Sequence, residues 1–155
     1  MRSLLLTGLI LFFGINLSHG QIKWSDNGLE VDNHEEVQVI IENLSPAALN
    51  IGLTKDRIES RVNIRLRQVN LRPVTDSDRL SHLYINFTVI DQSYNIQLNF
   101  VRVVSYNAGD VEYYTPASVY SRLFSGIYPQ NSEDIISGLD QLLDVFISAY
   151  LNAND

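Results

Sequence analysis

Residues 82–104 read HLYINFTVIDQSYNIQLNFVRVV, two alternating runs around a short polar connection. In the first, Leu83, Ile85, Phe87 and Val89 alternate with Tyr84, Asn86, Thr88 and Ile90; in the second, Ile96, Leu98 and Phe100 continue one face. A period of two puts each set on one side of an extended chain, and two such runs joined by the turn-type residues of DQSYN predict a β-hairpin. One side of that hairpin is apolar throughout and needs a cover. The C-terminal stretch NSEDIISGLDQLLDVFISAYLNAND supplies one: Ile135, Leu139, Leu142, Leu143, Phe146 and Tyr150 form an apolar stripe at helical spacing. Asn131 or Ser132 can cap this helix, and Glu133 and Asp134 fill its first turn.

Working outward, VEYYTPASVYSRLF after the YNAGD turn predicts a further strand, in which Pro116 cannot donate to a ladder and so demands an edge or a bulge. Upstream, EVQVIIENL alternates Val37, Val39 and Ile41 on one face with Ile40 on the other, a first strand that SPAALNIG then breaks as a turn. Thr54 is a hydroxyl cap with Asp56 in the first turn, and Ile58, Val62, Leu66 and Val69 share a helical face. VNIRLR within that segment alternates for six residues, so a strand competes with the helix there, and Pro73 stops whatever precedes it. The order strand, helix, strand, strand, strand, helix predicts an α+β fold: an antiparallel sheet of about four strands with two helices on one face.

The chain opens MRSLLLTGLILFFGINLSHGQ, with one positive charge at Arg2, an apolar run from Leu4 to Ile15, and Ser18 and Gly20 as the small residues before Gln21. This is the layout of a secretory signal peptide over residues 1–20, its core short for a membrane span. The expected protein is thus exported, periplasmic or extracellular. Residues 21–36 are polar and read as a loosely held arm that Trp24 alone could pin, and residues 37–155 read as one domain. No later apolar run approaches the length of a transmembrane span. A formal net charge of −7 repels phosphate backbones and argues against nucleic acid as partner. Cysteine is absent, so neither disulfides nor thiolate metal sites hold the fold, which must rest on its apolar core.

Arg57, Arg61 and Arg65 form a row along one flank of the predicted second-element helix, with Arg67 close behind. Like charges four residues apart repel unless acids from another element or another molecule answer them. Two readings stay open: a solvated border of the core, or a face for an anionic ligand or an acidic partner. Tyr113, Tyr114 and Tyr120, with Tyr106 and Tyr128 nearby, make the Pro116 strand tyrosine-rich. Either strand propensity or an interface explains that, since tyrosine combines an apolar body with a polar tip. His34, Glu35 and Glu36 are adjacent and seldom converge on one ion; no metal site and no cofactor is expected. Asp76, Asp78 and Glu35 with Glu36 sit in polar stretches where solubility is the ordinary explanation for paired carboxylates. No nucleophile motif and no phosphate-cradling glycine loop is present. Asn43-Leu-Ser and Asn86-Phe-Thr are glycosylation sequons in a eukaryotic secretory pathway, with Pro46 disfavouring the first.

The segments IGLTKDRIESRVNIRLRQVNLRPV, HLYINFTVI and VFISAYLNAND together resemble a group of small exported bacterial proteins of unknown function. That group has an LT…RLR helix, an LY-x-N strand and a C-terminal AYL-x-N helix, and the resemblance spans Val37 to Asn154. It implies export, a single-domain fold and no assignable reaction, and bacterial origin makes the sequons irrelevant. The function expected is a non-enzymatic module that binds an envelope protein, using the arginine row or the edge of the tyrosine-rich Pro116 strand. The alternative is a small-molecule or lipid carrier with a pocket between the sheet and the C-terminal helix. Hydrolysis by loop carboxylates stands third.

Overall fold

The computed structural model describes residues 28–75, 79–90, 93–127 and 132–154. The expected signal peptide at residues 1–20, with Trp24, Asp76, Asp78, Tyr128 and Asn131, lies outside the described residues. The elements run β1 (Glu36–Ile41), α1 (Pro46–Asn50), α2 (Lys55–Arg67), β2 (Arg72–Val74), β3 (Ser81–Ile90), β4 (Ser93–Ala108), β5 (Val111–Ile127) and α3 (Ser132–Asn154). The class is α+β, with five strands in the order β2-β1-β3-β4-β5. The sheet is mixed where an antiparallel one of about four strands was expected, because β1 pairs in parallel with both β2 and β3. The long excursion through α1 and α2 makes this possible, since parallel neighbours need a crossover.

Two elements correct the reading of the sequence. Ser45 accepts a hydrogen bond from the Ala48 N–H (3.3 Å) and Pro46 opens the next turn, so SPAALNIG is the short helix α1 rather than a turn. Pro73 lies inside β2, which is short and at the sheet edge, where a missing N–H is tolerated. The α2 segment is a helix, not a strand: Thr54 accepts from the Arg57 N–H (3.3 Å), and Ile58, Val62 and Leu66 are buried on one face. Asn70, at φ +63°, turns the chain out of α2, while Leu71 N–H returns to Leu66 O (3.0 Å).

The predicted β3–β4 hairpin forms, with Leu83 opposite Phe100, Ile85 opposite Leu98 and Phe87 opposite Ile96, while Ser93–Asn95, expected in the connection, belong to β4. All six side chains are buried on the side that α3 covers. The opposite side carries Tyr84, Asn86, Thr88, Asn95, Gln97 and Asn99, none of them fully buried, as befits a sheet with one solvated face. Pro116 lies on β5, the other edge strand, and Val119 is the extra residue of a bulge, since Phe100 faces Tyr120 while Val101 faces Ser118.

Under α3 the core is aromatic: Phe100, Phe146 and Tyr150 lie 5.5–5.9 Å apart between ring centroids, and Tyr120 meets Phe146 edge-on at 5.9 Å. Gly138 lets the helix approach closely, for a Cβ there would stand 2.7 Å from the Phe124 ring and 3.2 Å from Ile96 Cδ1. The tail of α3 also holds the start of the described chain. Asn154 accepts from the Val31 N–H (2.9 Å) and donates to Leu29 O (3.0 Å), and Leu29 is fully buried. The last part of the expected arm is therefore anchored core, through a side-chain clamp that reads its backbone.

Candidate functional site

The arginine row finds its partners within the chain. Arg57 pairs with Glu133, Arg61 with Asp140 and Arg65 with Asp144, all on α3, and Arg57 also donates to the Ser132 hydroxyl. The Arg61 contact is bidentate, with Nε 2.7 Å from Oδ1, and it raises the Arg61 guanidinium above its ordinary range. Acids at 133, 140 and 144 recur seven and four residues apart, so they line one flank of α3 as the arginines line one flank of α2. The ladder joins two helices laid side by side. With the charges answered internally, and each pair partly exposed, it contributes modestly to stability and leaves no ready anion site.

The tyrosines separate into two groups. Tyr120, expected at the surface, is 7 % exposed beneath α3, its ring covered by the Arg122 guanidinium at 4.5 Å. It is a core residue because its cross-strand partner is Phe100. Tyr113 and Tyr114 are 44 % and 68 % exposed, and Tyr113 stacks on Tyr106 (53 % exposed) at 5.4 Å. Their position explains the difference. The strand β3 ends its pairing at Ser81 opposite Arg102, whereas β4 continues to Ala108 and β5 starts at Val111. Residues 103–108 and 111–116 thus form a two-stranded ribbon that projects beyond the third strand, turning at Gly109, whose φ is +65°. A two-stranded ribbon has no layer to bury its side chains against, so both faces stay open. Tyr106 and Tyr113 occupy the face that α3 covers farther back, and Tyr114 the other.

From Val103 to Tyr120 the only charged residues are Asp110 and Glu112, so the ribbon is aromatic and weakly acidic. At its base a cavity of about 220 Å³ opens between Val31, Asp32, Arg79, Ser81 and Arg102. A second, of about 250 Å³, lies between α2 and β2 beside Glu59, Asn63 and Arg67. Neither lies between the sheet and α3, where the aromatic cluster fills the space.

Glu36 accepts from both Arg72 and Arg79, a pairing the HEE motif did not suggest. Among the described residues no three His, Asp or Glu side chains converge as metal ligands. No described helix is long and apolar enough to cross a membrane. Comparison with protein-family models, with curated proteins and with solved structures finds no match.

Proposed function

We propose that this chain is an exported, non-enzymatic module that binds another envelope protein through the β4–β5 ribbon. The observation that carries the reading is the ribbon itself: a projecting pair of strands with Tyr106, Tyr113, Tyr114 and Val111 open to solvent. Tyrosine is the residue type enriched at protein contacts, and an unpaired strand edge is a template for another chain. The alternative of a carrier with a pocket under α3 draws no support from a region filled by Phe100, Tyr120, Phe146 and Tyr150. The arginine row contributes to this reading only as a strut that fixes α2 against α3.

The test is site-specific photo-crosslinking in the native envelope. A photoreactive side chain replaces Tyr114 in one variant and the exposed Glu59 of α2 in another. The reading expects a discrete crosslinked protein from the ribbon position and none from α2. Equal patterns from the two positions, or no crosslink from the ribbon, would refute it.

A further inference from the structure

Among the described residues, the edge of β4 loses its partner strand where β3 begins. Val103 N–H donates to Leu80 O (2.8 Å), and among the described residues no strand pairs with that edge from there to Ala108. Alternation along a strand places the main-chain N–H and C=O groups of Ser105 and Asn107 on the same open edge as those of Val103. The cavity of about 220 Å³ lies at the inner end of this gap, with Leu80, Ser81, Arg102 and Val103 in its wall.

The charges there are unevenly matched. Half-buried Arg102 donates to Gly28 O (3.0 Å), and among the described residues no carboxylate stands within ion-pair distance of it. Arg79, also lining the cavity, shares Glu36 with Arg72. Among the described residues, Asp32 is the one acid in the cavity wall.

Direction follows from geometry. A strand laid antiparallel on β4 in this gap runs the way β3 runs, from the ribbon tip towards the base, so its C-terminal end arrives at the cavity. Guanidinium forks suit a carboxylate, and a strand of opposite direction would bring an ammonium group against Arg102. We propose that the open β4 edge takes the extended C-terminal segment of another protein, pairing with Ser105 and Asn107, with the terminal carboxylate received by Arg102 beside Arg79. This rests on the reading of the chain as a protein-binding module and names its ligand. A second copy of the chain fits poorly, because two copies of net charge −7 repel.

The test uses the full chain and a displayed library of random peptides of about seven residues with free C-termini, matched to the length of the open edge. The best peptide is resynthesised as the free acid and as the C-terminal amide, and both are titrated while amide exchange is followed by NMR. The acid is expected to bind about tenfold tighter than the amide and to protect Ser105 and Asn107. Arg102→Gln should abolish the difference between acid and amide, and Arg102→Lys should keep part of it. Because Arg102 also holds Gly28, Arg79→Gln serves as a second variant, with β3 amide exchange reporting that the fold is intact. If acid and amide bind equally while Ser105 and Asn107 are protected, the carboxylate site is refuted and the module reading survives. If no selected peptide protects that edge, strand addition at β4 is refuted, and the crosslinking from Tyr114 decides the module reading separately.

Discussion

Gly138 offers a substitution whose sign depends on the structure. In an isolated helix, Gly→Ala stabilises by about 1 kcal/mol, because glycine loses the most backbone freedom. In α3 the added methyl would sit 2.7 Å from Cδ1 and Cε1 of Phe124 and 3.2 Å from Ile96 Cδ1, so the ring or the helix must move. Overpacking of this kind costs about 1–3 kcal/mol, which exceeds the propensity gain. Gly138→Ala should therefore destabilise by about 1 kcal/mol net, a fall of about 0.5 M in the urea midpoint at an m-value of roughly 2 kcal/mol/M. Exposed Ser137, one residue away, supplies the control: Ser137→Ala should be neutral to slightly stabilising. In a Phe124→Leu background the obstructing ring is gone, and Gly138→Ala should reverse sign and stabilise. A raised urea midpoint for Gly138→Ala in the otherwise unaltered chain would refute the close approach of α3 to β5.

Two more predictions concern charge. A double-mutant cycle on Arg61→Ala and Asp140→Ala should give a coupling of about 0.5–1 kcal/mol that shrinks with added salt, whereas zero coupling would mean the ladder does not hold the helices. Burial pushes the Tyr150 hydroxyl up to about 12, and that hydroxyl has no hydrogen-bond partner among the described residues. The folded state then keeps a proton that the unfolded chain releases near pH 10, so stability is full below pH 10 and falls by about 1.4 kcal/mol per unit between pH 10 and 12. Tyr150→Phe should flatten that part of the pH profile in thermal or urea melts, and an unchanged profile would place the titration elsewhere.

Elements that declare themselves through local pattern were legible in the sequence. Strict alternation marked β3 and the buried face of β4, though not their register, and the cap at Thr54 with Ile58, Val62 and Leu66 marked α2 over the competing alternation of VNIRLR. Short elements were not: β2 has three residues, one of them a proline, and acquires strand character only by pairing with β1. The parallel placement of β1 likewise depends on contacts far apart in sequence, which periodicity does not carry. The arginine row was visible without its meaning, although the acids at 133, 140 and 144 held a usable signal in their common helical flank. Tyr120 was misassigned because a tyrosine inside a strand looks alike whether a helix covers it or the strand has run past the sheet. The ribbon arises from unequal strand lengths, and alternation alone gives no strand its end.

The Asn154 clamp joins positions separated by 123 and 125 residues, which gives it a bearing on when the fold can close. Leu29 and Val31 are synthesised more than a hundred residues before the side chain that fastens them. Until residue 154 has passed, the first residues of the domain have nothing to dock against, and non-local contacts of this length are slow to form. Closure of this corner therefore waits until residue 154 has been made, and a product truncated before Asn154 would leave Leu29 and Val31 without that anchor.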